Sequence, residues 1–155
     1  VSKKNSPAST IEIRNRKAGY EYELLDRYTA GMVLMGTEIK SLRTGKAQIS
    51  EAYCVFHGTE LWVHELLIEP YALGTHVNHL ARRERKLLLS RRELDKIEVK
   101  LKDVGMTLIP TRLYINDKGL AKLDIALAKG KKLHDKRDSI KDRDVQRELD
   151  RAKYR

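Results

Sequence analysis

Ala128-Lys129-Gly130-Lys131-Lys132-Leu133-His134-Asp135-Lys136-Arg137 divides the 155-residue chain into a part that can build a core and a part that cannot. Before it, apolar residues come in short runs. From Lys129 to Arg155, eleven Lys and Arg face six Asp and Glu, so this stretch carries half of the chain's net charge of +10. Leu133, Ile140, Val145, Leu149 and Tyr154 are its only sizeable apolar residues, too few to offset ordering at about 1–2 kcal/mol per residue. The expectation is an arm over 129–155 that stays disordered when free. A solvated, frayed terminus is the plain reading, but the spacing adds to it. In a helix Arg143, Arg147, Arg151 and Arg155 stack along one side and Val145, Leu149 and Ala152 along another. The arm therefore reads as a segment that folds on contact with a phosphate-rich surface, helical from about Asp138.

With 35% charged and 41% hydrophobic residues and a pI near 9.7, the rest is one soluble domain with a partner that is anionic: nucleic acid first, a membrane surface second. No apolar run approaches 18 residues and the polar start, Val1 to Ser9, lacks a signal-peptide core, so the expected setting is cytoplasmic, without a membrane partner. Residues 1–10 read as a disordered lead. Cys54, a single cysteine among Tyr53, Val55 and Phe56, is read as buried filler.

Upstream of the divide, Met106–Ile115 and Leu120–Ala128 form a strand pair about Asn116-Asp117-Lys118-Gly119, with Leu123, Ile125 and Leu127 inward and Lys122, Asp124 and Ala126 on a wet face. Ser90 caps the clearest helix, with Glu93 completing a capping box. Arg82-Arg83-Glu84-Arg85-Lys86 runs into Leu87-Leu88-Leu89 and reads as a phosphate-binding loop, or as surface cations flanking a buried strand. Ala52–His57 and Leu61–Ile68 pair about His57-Gly58-Thr59-Glu60. Thr37 caps a short helix, Glu38 to Thr44, stopped by Gly45; Lys40 and Arg43 share a face there, as RNA contacts or as compensation of the helix dipole. Near the start, Asn15-Arg16-Lys17 precedes Tyr20 and Tyr22, two residues apart and so on one face of a strand: either a base-stacking edge or packed rings with solvated cations. The pattern is mainly β, a six-stranded antiparallel OB-like barrel over 11–128 with about three flanking helices.

Enzymatic motifs are absent. The sequence has no phosphate-binding glycine loop, no nucleophile elbow and no metal-spaced cluster; His76-x-x-His79 without further ligands is a weak zinc signal. No catalysis, no cofactor and no metal are expected.

Several stretches together resemble one family, small protein B, the tmRNA-binding protein of bacterial ribosome rescue. They are Asn15-Arg16-Lys17-Ala18 with Tyr22, Ala30-Gly31, Gly36-Thr37-Glu38-Ile39-Lys40-Ser41-Leu42-Arg43-Thr44-Gly45-Lys46, Arg85-Lys86-Leu87-Leu88-Leu89, Arg92-Glu93-Leu94, and Ala128 to Lys132 through His134-Asp135-Lys136-Arg137. The resemblance implies a binding protein that engages the tRNA-like domain of tmRNA. It implies delivery with elongation factor Tu to stalled ribosomes and use of the tail in the decoding centre and message channel; the protein is expected to act as a monomer. Asn15, Arg16, Lys17, Tyr22 and Leu88 fall where the family contacts or supports its RNA. Tyr20, Glu38, Lys40, Arg43, Arg83, Arg85 and Lys86 complete the expected RNA-binding set. Lys129, Lys131, Lys132, His134, Asp135, Lys136, Arg137, Arg143, Arg147 and Arg151 form the expected ribosome-binding tail. The chain departs from the pattern at Thr29, usually acidic, and at Leu80-Ala81, usually Asp-Pro.

Overall fold

A computed structural model describes residues 11–74, 78–131 and 133–153. β8 (Met106–Ile115) and β9 (Ala121–Gly130) reverse at Asn116, whose Oδ1 accepts the N–H groups of Lys118 and Leu120 at 3.1 and 2.9 Å. Gly119 completes that turn at φ +79°, a conformation that a side chain would strain. β4 (Tyr53–His57) and β5 (Glu60–His64) join through Gly58-Thr59. β7 (Arg85–Leu88) bridges β5 to β2 (Tyr22–Met32), and β1 (Glu12–Arg14) pairs with β8. The seven-stranded antiparallel sheet runs β1-β8-β4-β5-β7-β2-β9, and β9 also pairs with β8, so the ladder returns to where it began. β3 (Ala47–Gln48) and β6 (Leu67–Ile68) make a separate pair.

Among the described residues there are nine strands and four helices, where six strands and about three helices were expected. Six strands form the returning ladder; β3 is two residues long and leaves no periodic trace, β1 spans three residues, and the strand expected over Leu61–Ile68 parts into β5 and β6 at Glu65, whose φ is +57°. α3 (Arg91–Leu101) starts as predicted: Ser90 Oγ accepts the Glu93 N–H at 3.2 Å and Glu93 Oε1 accepts the Ser90 N–H at 3.3 Å. α2 (Gly36–Arg43) begins two residues before Glu38, with Met35 rather than Thr37 at the N-cap position. α1 (Ala18–Glu21) is a single turn. Over the arm the chain forms the helix α4 (Leu133–Lys153). Along-helix pairs such as Gln146 Nε2 to Asp150 Oδ1 at 3.0 Å favour that state.

Leu42, Ile49, Leu61, Leu66, Ile68, Leu87, Ile97, Leu108, Leu113, Leu123 and Ile125 fill the core. Cys54 is buried with them, and burial pushes its thiol well above the usual range. β9 departs from the expected alternation near its end: Ala126 and Ala128 are as buried as Leu127. Ala128 packs with Ile109 and with Ala18 of α1, so small side chains allow the helical turn to lie close on the sheet.

Leu123→Ala is expected to cost about 2–5 kcal/mol in urea unfolding, whereas Leu120→Ala, at an exposed position, stays within about 0.5 kcal/mol.

Candidate nucleic-acid interface

Asn15, Arg16 and Lys17 form the turn between β1 and α1. Asn15 fastens it to β8: its N–H donates to the Thr111 carbonyl at 2.9 Å and its Nδ2 to the Pro110 carbonyl at 3.0 Å. Its Oδ1 is buried without a hydrogen-bond partner. Arg16 is exposed, and Lys17 makes only a loose exposed pair with Glu51 at 3.6 Å. The Tyr20 and Glu21 N–H groups both donate to the Lys17 carbonyl at 3.1 Å, which coils this stretch. Tyr20 therefore lies on α1 and Tyr22 opens β2; they do not share a strand face as their spacing suggested.

The root of the arm is fixed at the same place. Gly130 pairs with Tyr22 in register, the Lys131 N–H donates to the Glu21 carbonyl at 3.0 Å, and Lys131 Nζ donates to the Gly19 carbonyl at 2.8 Å. α4 rests against α1, with the Arg143 guanidinium 4.9 Å from the centre of the Tyr20 ring. The structure thus gathers Asn15, Arg16, Lys17, Tyr20 and Tyr22 with Lys129, Lys131 and Arg143. Arg147 and Arg151 are exposed on α4, and the apolar stripe there is uncovered, since Val145 and Leu149 are both more than half exposed. Lys132 and the side chains of His134, Asp135, Lys136 and Arg137 lie outside the described residues.

Two members of the expected RNA-binding set are in the interior. Glu38 and Arg85 have no solvent exposure at all and form an ion pair, Arg85 Nε donating to Glu38 Oε2. Arg85 also donates to the carbonyls of Leu66 at 2.5 Å and Ala81 at 3.1 Å. Glu38 Oε1 accepts the Met35 N–H at 2.9 Å and Nε of Arg83 at 2.9 Å, and Arg83 Nη2 reaches both that oxygen and, at 3.3 Å, the Val33 carbonyl. This corrects the reading of Glu38 and Arg85 as RNA contacts: side chains sealed from water, with Arg85 bonded through all three guanidinium nitrogens, join elements of the fold. Arg83 is largely occupied with the same carboxylate and remains about one quarter exposed. Burial works to raise the Glu38 carboxyl, but the hydrogen bonds from Arg83, the Met35 N–H and Arg85 outweigh it and hold the group below the ordinary range. Ala81 adds a carbonyl bond from the Ile68 N–H at 3.0 Å, so the Leu80-Ala81 departure is built into the loop's anchorage.

The remaining candidates are on the surface. Lys40 lies 5.5 Å from the centre of the Tyr71 ring, Arg43 is exposed, and Lys86 pairs with Glu60 at 2.9 Å. Leu88 is half exposed and sits beside Gly31, where an added Cβ meets the Leu88 Cβ at 3.4 Å. Sequence reading missed a polar cluster across β2, β9 and β8. Thr29 Oγ1 donates to Asp124 Oδ1 at 2.8 Å, Arg112 Nε donates to Asp124 Oδ2 at 3.0 Å, and the Arg112 guanidinium covers the Tyr114 ring at 4.0 Å. At Thr29, then, the carboxylate comes from the neighbouring strand. His79 is a buried structural residue. Its Nε2 meets the Ile68 carbonyl at 2.9 Å and so bears the hydrogen, which leaves Nδ1 to accept from Thr37 Oγ1 at 2.9 Å. His76, its suggested zinc partner, lies outside the described residues.

A mainly β protein with a cationic surface and a cationic helix rooted beside a half-buried aromatic turn belongs to the class that holds anionic polymers. A family model described as SmpB protein matches residues 12–155. The SsrA-binding protein of Christiangramia forsetii is 57% identical over 143 residues, covering 92% of this chain and 91% of its own. That of Parabacteroides distasonis is 54% identical over 149 residues, covering 96% and 97%. A solved structure described as "tmRNA-SmpB: a journey to the center of the bacterial ribosome" matches with a TM-score of 0.69 at 40% identity, over 84% of this chain and 94% of the other. The chain belongs to the SmpB protein family.

Glu38→Gln is expected to destabilise the protein by about 3–5 kcal/mol, because Arg85 is left in the interior without a counter-charge. The pH dependence has a definite sign. A lowered carboxyl stabilises fully above its ordinary value, and that contribution disappears as pH falls through the lowered one. Unfolding measured from neutral pH into acid therefore shows a loss in the parent protein that Glu38→Gln lacks.

Proposed function

We propose that this chain is an RNA-binding adaptor of trans-translation. It binds the tRNA-like domain of tmRNA (SsrA RNA), accompanies it with elongation factor Tu to stalled ribosomes, and supports tagging of the incomplete protein for degradation. The observation that carries the reading is the joint placement of the aromatic and cationic turn, Asn15 to Tyr22, and the root of the arm at Lys129–Lys131. The body, whose returning ladder we read as an OB-like barrel, grips folded RNA; unstacked bases in such RNA suit the rings of Tyr20 and Tyr22 with Arg16 and Lys17. Towards the other end of β2, where Leu88 pairs with Gly31, Lys40, Arg43, Lys86 and Leu88 offer a second surface, with Arg83 contributing its exposed portion. The arm enters the decoding centre and message channel, where Arg147 and Arg151 meet phosphate and the uncovered Val145 and Leu149 find a shallow groove. Arg143 leaves Tyr20 in that step, freeing the ring for a base. The protein acts as a cytoplasmic monomer and catalyses nothing. Among the described residues no helix is long and apolar enough to cross a membrane.

Removing everything after Gly130 is expected to leave tmRNA affinity within about threefold of the full chain while abolishing tagging on stalled ribosomes. Arg16→Ala in the full chain weakens tmRNA binding and lowers its salt slope by about 1. The competing reading, a general RNA chaperone, predicts affinity lost in proportion to charge and no selectivity against excess tRNA at physiological salt.

A further inference from the structure

The outer side of β4, β5 and β7, three strands that run next to one another, carries a cluster that the RNA-binding reading does not use. Leu61 and Val63 point into the core, so alternation turns Trp62 and His64 outward. His57 closes β4, His64 closes β5, and Glu84 immediately precedes β7. The two imidazoles meet with Nε2 atoms 2.8 Å apart. Glu84 lies across both, Oε1 3.4 Å from His64 Nδ1 and Oε2 3.8 Å from His57 Nε2. Aromatic neighbours hold the rings. Tyr53, the register partner of His64, stacks on it at 5.4 Å, and Trp62 meets His57 edge-on at 6.1 Å. The His64 side chain is only 16% exposed, whereas those of His57 and Glu84 are about half exposed, which leaves an opening to solvent.

We propose that His57, His64 and Glu84 form a binding site for a divalent transition-metal ion of the zinc type. Two ring nitrogens at 2.8 Å need one hydrogen between them. One ring carries that hydrogen on Nε2 and the other accepts it through its Nε2 lone pair. A metal ion takes its place. The three donor atoms lie within 4.8 Å of one another, and zinc bonds of about 2.0–2.1 Å at tetrahedral angles separate donors by about 3.4 Å. The imidazoles part by about 0.6 Å. The donor ring shifts its proton from Nε2 to Nδ1, so both Nε2 atoms offer lone pairs and no proton is released. Glu84 turns Oε2 to the ion, and water from the open side takes the fourth position. Two imidazoles and one carboxylate favour zinc, nickel or copper over calcium and magnesium, which prefer all-oxygen surroundings. The competing cations nearby are already engaged: Lys86 pairs with Glu60 and Arg82 with Glu65.

The test is titration of Zn2+ and of Co2+ into the purified full-length protein, followed by calorimetry, by cobalt visible absorption and by NMR of the histidine rings. One saturable equivalent is expected, with the His57 and His64 resonances moving together. His57→Ala and His64→Ala each weaken binding by about tenfold or more, and His76→Ala and His134→Ala leave it unchanged. Calcium at the same concentration moves nothing. Absence of saturable binding at millimolar zinc overturns the proposal, as does undiminished affinity in His57→Ala. So do ring shifts at histidines other than 57 and 64 in the unmodified chain, an outcome that does not depend on any variant folding.

Discussion

Glu38 is an acid without access to water, and this is tolerable only because two guanidinium groups and a backbone N–H close around it. Breaking a buried pair by deleting one partner costs far more than the intact pair contributes, since the survivor keeps the desolvation penalty. The geometry spreads that constraint over the molecule. The carboxylate heads α2, Arg85 opens β7, Arg83 reaches back to the Val33 carbonyl just past β2, and the Leu66 and Ala81 carbonyls fix the segments that lead into and out of the long loop. One salt-bridged cluster thereby sets where α2 stands relative to the strands beneath it.

The exposed chemistry is arranged around that anchorage. On α2, Glu38, Ser41 and Leu42 turn inward, which leaves Lys40 and Arg43 outside. On β7, Arg85 and Leu87 face in while Lys86 and Leu88 face out. The other functional region depends on a different device. Ala18, Ile109 and Ala128 let α1 lie close on the sheet, and the bonds of Lys131 to α1 make the last strand and the root of the arm one unit. A rigid body and a cationic lever thus share an attachment point.

Much of this could be read from residue order. The Ser90–Glu93 box, the Asn116–Gly119 reversal and the β4–β5 and β8–β9 pairs carry strong local signals, and the interior of β9 follows its alternation as far as Ile125. The errors have identifiable causes. Arg85 lay in a run of four cations in five residues that suited a phosphate loop as well as a flanked strand, yet Arg85 and Leu87 are two apart on one strand, so the parity that buries Leu87 also buries Arg85. Glu38 stands four residues before Leu42, on the same helical face, and offered the matching hint. Tyr20 and Tyr22 looked like strand neighbours because a single turn of helix has no periodicity to detect. The meeting of His57, His64 and Glu84 was not legible at all, because it depends on three strands lying side by side. Similarly, nothing local links Thr29 to Asp124, 95 positions away.

Amide hydrogen exchange on Glu38→Gln, at a pH where the protein remains folded, tests the role of this cluster most directly. If the cluster ties α2 to the sheet, protection falls across 36–46 and 81–86 while the amides of β8 and β9 keep theirs. Unchanged protection of α2, or an equal loss across all strands, contradicts it.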